Sequence, residues 1–318
     1  MPGLPGYLTL DASDWDTKIA AADELARECR LCPRACGVDR LSGEKGFCRA
    51  PAGLHLSSIF AHHGEEPPLS GSGGSGTVFF SHCTLRCVFC QNHQLSHGGQ
   101  GRSYTVDELA QRMVLLQDEG CHNVNLVTSG HYLPWVLRAI RRASANGLEI
   151  PIVYNCGGYE VPEALAIMDR VIDIYLPDMK YADGAPARQF SAAPDYVAIN
   201  REAIRCMFRQ VGPLRLDCAG IAYRGMCIRH LVLPNGLAGS EQIAAFLAAG
   251  YDPSDIAISL MAQYRPLHLA GQYTDIARRP TREEYRRARR AFESAGFEGF
   301  YQDGDALDES FVFDFKVD

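Results

Sequence analysis

From residue 77 to residue 295, short apolar runs rich in β-formers alternate with helical segments. This alternation is the strongest constraint on the fold, because it calls for βα units around a parallel sheet. The β-rich runs are 77–81, 123–128, 150–154, 171–176, either 196–199 or 214–217, 230–233 and 256–260. Between them, residues 105–119 read as a helix. It opens on a capping box, Thr105 to Glu108, and stops before Gly120. Val106, Leu109, Met113 and Leu116 keep helical spacing within it. Further helices are expected over 133–146, 162–169, 240–249 and 281–295, the last again opening on Thr-x-x-Glu (Thr281, Glu284). Crossovers should be right-handed. Periodicity leaves three forms open: a closed eight-stranded barrel, a partial barrel or an open sheet.

The chain has 318 residues, 47% of them apolar and 22% charged, which suits one large domain with a small appendage. Its net charge of −7 gives nucleic acid no general attraction. No apolar run approaches the roughly 18 residues of a membrane span. The first residues lack the basic and apolar regions of a signal peptide, so the expected location is cytoplasmic. In a reducing compartment twelve cysteines argue for metal, cluster or redox chemistry rather than disulfides.

Cys83, Cys87 and Cys90 form C-x3-C-x2-C on a loop directly after the run 77–81. Three thiolates within eight residues can wrap one metal centre. Structural zinc usually takes four protein ligands, and no fourth cysteine is near. A four-iron cluster held by three cysteines leaves one iron open to a substrate or cofactor. The alternative is a three-thiolate zinc site completed by His82, His93 or His97. A second group, Cys29, Cys32, Cys36 and Cys48, places four thiols in 20 residues. That segment is too short to fold on a core of its own, so a metal would give it order. A structural four-thiolate zinc site and an auxiliary [4Fe-4S] cluster both fit, with the cluster slightly preferred. Cys121, Cys156, Cys206, Cys218 and Cys227 read mainly as core residues. Cys156, Cys218 and Cys227 follow predicted strands and are also placed to line a site.

The segment CTLRCVFCQN is similar to the signature of the radical S-adenosylmethionine (SAM) superfamily. The resemblance runs from about residue 75 to 265. It implies an α/β fold, a partial (β/α)6 TIM-like barrel; the small cysteine-rich metal knuckle that precedes it departs from the activating-enzyme pattern, which is shorter at the N-terminus. It also implies that Cys83, Cys87 and Cys90 hold a [4Fe-4S] cluster whose open iron chelates the methionine part of SAM. One-electron cleavage would then give a 5′-deoxyadenosyl radical that abstracts hydrogen. By the same resemblance Phe89 lies near the adenine, Gly130 belongs to the turn that meets the methionine amino group, and Asn155 bonds to the ribose or carboxylate. Asp178-Met179-Lys180 resembles the Asp-Leu-Lys turn of glycyl-radical activating enzymes, whose charged residues approach the cofactor. A surface ion pair is the plain alternative for Asp178 and Lys180. Arg229, entering the sixth strand, resembles an arginine often carried by members of the activating type, and Gln263, Tyr264 and Arg265 after the seventh are placed to touch substrate or to form a polar rim.

These matches resemble the branch related to pyruvate formate-lyase activating enzyme. They imply reduced flavodoxin or ferredoxin as electron donor and a protein as substrate. A radical enzyme acting on a peptide, small molecule or RNA is a second option, and a non-catalytic iron–sulfur or zinc protein a third. The expected organisation is a knuckle segment over 1–70 and a barrel with C-terminal helix and tail over 71–318. His62, His63, Glu65 and Glu66 are expected mostly in solvent, with metal binding or a substrate contact as the alternative; the glycine–serine tract 71–76 resembles a flexible linker, or is ordered by the strand that follows it. The arginines of 282–290, interleaved with glutamates, read as a salt-bridged surface. The tail 303–318 is expected to add a strand or cover the barrel bottom.

Overall fold

The computed structural model describes residues 3–302. The expected strand or cover over 303–318 lies outside the described residues.

Ten strands form one sheet: β1 (Leu54–His62), β2 (Ser75–Phe80), β3 (Arg102–Tyr104), β4 (Val124–Val127), β5 (Ile152–Cys156), β6 (Ile174–Pro177), β7 (Arg215–Leu216), β8 (Ala222–Leu231), β9 (Ala257–Met261) and β10 (Gly299–Tyr301). The helices are α1 (Ala12–Arg27), α2 (Pro67–Ser70), α3 (His93–Ser96), α4 (Val106–Asp118), α5 (Leu133–Ala145), α6 (Pro162–Met168), α7 (Gly184–Ser191), α8 (Tyr196–Val211), α9 (Ser240–Gly250) and α10 (Arg282–Ser294).

The parallel path runs β2-β4-β5-β6-β8-β9-β10, so spatial order follows chain order without a reversal. A doubly wound sheet would reverse at a switch point, and this one does not. The outer strands β10 and β3 do not meet among the described residues, so the barrel is open. Six full parallel strands, with the three-residue β10 added at one edge, make the partial (β/α)6 barrel. Every residue of β2, β5 and β6 is buried. Strands covered on both faces lose polar alternation and read as continuous apolar runs, which is why they stood out in the sequence. At the other edge β1 pairs antiparallel with β2 and β3.

The two predicted capping boxes are present. Glu108 accepts from the Thr105 backbone N–H at 2.6 Å, and Glu284 from that of Thr281 at 2.7 Å. The arginines of α10 form exposed pairs, such as Arg290 with Glu283 at 2.6 Å, as expected of a solvated face.

Three expectations need correction. Residues 196–199 open helix α8, and 214–217 supply only β7, whose two exposed residues pair antiparallel with β8. No parallel strand therefore lies between β6 and β8, which pair directly. Tyr196, Asn200, Ala203, Ile204, Met207 and Val211 are the buried face of α8, a period that a four-residue window cannot reveal. The glycine–serine tract is not a linker. Its Gly74 N–H donates to Ser70 O at 2.7 Å, its Ser75 begins β2, and the Ser75 hydroxyl meets Asn123 Oδ1 at 2.6 Å. Glu65 and Glu66 are buried rather than solvated, as described below. Of the scattered cysteines, Cys121, Cys156, Cys206 and Cys227 are buried and Cys218 is exposed.

The knuckle folds against the barrel. Cys29, Leu31, Cys48 and Ala50 share one apolar core with β2 and α4. Among the described residues no helix is long and apolar enough to cross a membrane.

Candidate active site

The chain leaves β2 through Ser81 and His82, the latter in a left-handed conformation at φ 68°. The next residues, Cys83 to Cys90, dock on the C-terminal end of α7: Val88 N–H donates to Phe190 O at 2.8 Å, and Arg86 N–H to Ser191 O at 3.2 Å. A second anchor is the Leu269 N–H, which reaches Val88 O at 2.8 Å. Leu85, Val88 and Phe89 are buried beneath the loop, with the Phe89 ring edge-on to Tyr264 at 5.6 Å. The three cysteines thus sit on a fixed loop at the C-terminal end of the first parallel strand, the end where barrel sites form.

Each sulfur has a polar neighbour. Ser191 Oγ lies 3.0 Å from Cys87 Sγ, Ser96 Oγ 3.1 Å from Cys90 Sγ, and the Leu85 N–H points at Cys83 Sγ from 3.4 Å. An amide donor at Cys83, and hydroxyls able to donate at Cys87 and Cys90, suit metal-bound thiolate. Burial pushes all three thiols above the usual range, Cys90 to about 11, so metal loading must release their protons. Among the described residues no three His, Cys, Asp or Glu side chains converge as for a single ion. A four-iron cube spreads three sulfurs over three irons and does not ask for that convergence. Of the candidate histidines, His82 lies beside His55 at 5.9 Å, His93 and His97 pack on His268 at 4.8 and 4.6 Å, and the His97 ring also bonds to the Cys87 backbone.

Asp178 and Lys180 form an ion pair just after β6. Their side chains are only 20% and 18% exposed, so this is not a surface pair. Burial works against the Lys180 ammonium, but Asp178 and the sulfurs of Cys87 and Cys90 outweigh it and hold its pKa above the ordinary lysine value. The turn that carries them is clamped. Tyr196 Oη accepts from Lys180 N–H at 3.0 Å and reaches Gly157 O at 2.8 Å. Asn200 Nδ2 donates to Asp178 O at 2.9 Å, and His230 Nδ1 lies 2.6 Å from Met179 O. Burial drives the His230 pKa down to about 4, so the ring is neutral near pH 7.

Gly130 sits in the turn after β4. A Cβ there would stand 2.4 Å from Tyr154 Oη and 2.9 Å from a Glu160 carboxylate oxygen, so the position needs glycine. Asn155 lies near the end of β5, its backbone carbonyl accepting from Thr128 N–H at 2.8 Å. Gln263, also named from the sequence, accepts at its backbone carbonyl from Gln91 Nε2 at 3.1 Å. The hydroxyl of its neighbour Tyr264 is spent on Ile276 O at 2.7 Å.

Sequence reasoning missed Glu160, Tyr196, Asn200 and His230. Tyr196 and Asn200 were hidden by reading their helix as a strand. Glu160 follows the Gly157-Gly158 turn, and only the fold brings it to Gly130. Burial pushes the Glu160 carboxyl up to about 8, with Tyr154 and Cys156 partly offsetting it. Its ordinary value is 4.5, so between those values the native state keeps a proton that the unfolded chain has released. Stability must then fall as pH rises through that window. Histidines buried as neutral rings act below about pH 7, and Asp173, raised to about 6, is also ionised by then. Calorimetry between about pH 7 and 8 should therefore show a melting temperature that falls more steeply in the native chain than in Glu160→Gln. Parallel curves would refute this account.

The N-terminal cysteines lie within electrostatic reach of one another, again without the convergence a single ion would need. Burial raises the Cys29 and Cys32 thiols. Cys36 and Cys48 add to the shift at Cys29, and Cys29 and Cys48 to that at Cys32. The Phe47 N–H points at Cys36 Sγ from 3.2 Å, and a Cβ on Gly46 would lie 2.8 Å from that sulfur. Arg34 ties this knuckle to the cluster loop: Nε donates to Thr84 O at 2.9 Å and Nη1 to Ala192 O at 2.6 Å.

A sequence profile of the Radical SAM superfamily matches residues 77–183. An uncharacterised protein of Methanocaldococcus jannaschii is 31% identical over 281 residues, covering 86% of this chain and 76% of its own length. The chain belongs to the radical SAM superfamily. Radical SAM chemistry uses a [4Fe-4S] cluster and SAM, and members of this class are enzymes. Two solved structures share 12% identity with the chain. HydG, a maturase of the [FeFe]-hydrogenase, has a TM-score of 0.46 over 67% of this chain and 47% of its own. Methylornithine synthase (PylB) has a TM-score of 0.43 over 92% of this chain and 72% of its own. At those scores the two likenesses are too distant to say more about this radical SAM protein.

Proposed function

We propose that Cys83, Cys87 and Cys90 hold the [4Fe-4S] cluster, and that the radical made there abstracts hydrogen from a protein glycine. Once reduced, a cluster bound there supplies the electron that splits SAM into methionine and a 5′-deoxyadenosyl radical. The observation that carries the reading is the contiguity of three sulfurs, each with a polar neighbour, with the Lys180 ammonium at the strand C-terminal ends. Lys180, fixed by Asp178 and by the Tyr196 clamp, offers a positive charge to an anionic group of the cofactor. The Gly130 turn offers its backbone to the methionine amino group, Asn155 reaches the ribose or carboxylate, and Phe89 walls the adenine side. The resemblance of Asp178-Met179-Lys180 to activating enzymes supports the protein substrate, and reduced flavodoxin or ferredoxin is the fitting electron donor. Cys29, Cys32, Cys36 and Cys48 hold a second centre, [4Fe-4S] in preference to zinc.

The substrate reading is tested by isotope transfer. Reconstituted enzyme is mixed with dithionite, SAM and an extract of the host grown on deuterated glycine. Hydrogen taken from glycine carries deuterium into 5′-deoxyadenosine, which mass spectrometry detects. Unlabelled deoxyadenosine, formed in normal yield, would reject glycine as the source. The second centre is tested by metal analysis of Cys29→Ala/Cys32→Ala: loss of four irons is expected, loss of one zinc would reassign it, and no loss would remove it.

A further inference from the structure

Arg40 is completely buried, yet among the described residues no carboxylate lies within ion-pair distance of it. Its Nη1 points at Cys48 Sγ from 3.6 Å and at His131 O from 3.4 Å, and Nη2 donates to Pro51 O at 2.9 Å. Nε has no partner. The hydroxyl of Tyr132, a residue that feels both Arg40 and Cys48, is also buried without one. A guanidinium keeps its charge in a protein, and a buried charge without a counter-ion is strongly unfavourable. Neutral thiols cannot supply that counter-ion. Four thiolates on an oxidised [4Fe-4S] cluster can, because a cluster so bound carries a net charge of about −2.

We propose that Arg40 is the fixed counter-charge of a metal–thiolate centre formed by Cys29, Cys32, Cys36 and Cys48, and that it couples this centre to the turn holding Gly130 and His131. This rests on the reading of those cysteines as a metal site. One guanidinium edge faces the sulfur of Cys48, and the same Nη1 holds the backbone carbonyl that follows Gly130. Arg40 is a positioning residue: it touches a ligand of the second centre and the wall of the SAM site, not the reacting atoms.

The test is a double-mutant cycle on the full chain, prepared without oxygen: native, Arg40→Met, Cys29→Ala/Cys32→Ala, and the combination. Metal content, release of iron or zinc to a chelator, and melting temperature are measured. With all four cysteines present, Arg40→Met should release the second metal about tenfold faster or more and melt lower, as expected when a partner of a metal ligand is lost. In the Cys29→Ala/Cys32→Ala background the same change should raise the melting temperature, because it removes a charge left without a counter-ion. Arg40→Lys should recover much of the retention. An Arg40→Met chain that fails to fold with the cysteines but folds without them shows the same coupling. If Cys29→Ala/Cys32→Ala holds as much metal as the native chain, the metal reading itself falls. If the centre is present but Arg40→Met shifts melting equally in both backgrounds and leaves release unchanged, the role given to Arg40 is overturned.

Discussion

Cys87→Ala protein, reconstituted with iron and sulfide, should make no 5′-deoxyadenosine above a protein-free control, and Cys83→Ala and Cys90→Ala should behave alike. The effect is all-or-none because, on the proposed reading, each sulfur would bind a different iron of the cube, and two cysteines do not retain a cluster that must keep an open corner. Cys87 is the most informative of the three. Its sulfur contacts Ser191 Oγ, which also lies 2.7 Å from Tyr181 Oη, so the loop around it is fixed independently of metal. The variant should therefore fold, and circular dichroism should match the native chain while the visible absorption of the barrel cluster disappears. The second centre, if iron–sulfur, leaves its own absorption, so iron is counted in a Cys29→Ala/Cys32→Ala background. Native-like deoxyadenosine yield from any of the three variants would end the assignment.

The second large effect is on stability. Arg229 on β8 grips Glu66 through Nε at 2.7 Å and Nη2 at 2.9 Å, and Nη2 also meets Glu65. Asn125 Nδ2 adds a bond to Glu65 at 3.1 Å. Side-chain exposures are 15% for Arg229, 7% for Glu65 and 5% for Glu66, so the triad lies inside the barrel. Burial opposes charge on both carboxylates. Arg229 outweighs it at Glu66 and holds that group below its ordinary value, while burial prevails at Glu65 and pushes it up. Arg229→Met leaves two buried carboxyls without their cation. Breaking a buried pair from one side costs about 3–5 kcal/mol. For a chain of this size that is a fall of roughly 4–8 °C in melting temperature. The deficit should shrink at low pH, where both carboxyls in the variant take up protons, and Glu65→Gln added to Arg229→Met should recover part of it. A variant that melts with the native chain at neutral pH would show that the triad contributes nothing.

What was readable in the sequence was what is local. The capping boxes at Thr105 and Thr281 join residues three apart, and the cysteine trio spans eight positions. The buried strands announced themselves as apolar runs because both faces are covered. What escaped was set by distance along the chain or by too short a window. Glu65 and Glu66 meet Arg229 across more than 160 residues, so their polar sequence pointed to solvent. The helix that begins at Tyr196 starts with apolar residues that pass for a strand until a second turn is counted. Glu160 lies beside Gly130 only because β4 and β5 are neighbours.

Arg34 has a consequence for how the protein can be taken apart. By holding Thr84 O and Ala192 O together, the knuckle forms the outer wall of the Cys83–Cys90 loop. A barrel trimmed of its first fifty residues would therefore not be a minimal catalyst, since the loop would lose the clasp that closes it. Exchanging this N-terminal piece with that of a relative would succeed only where the recipient loop offers the same two carbonyl oxygens.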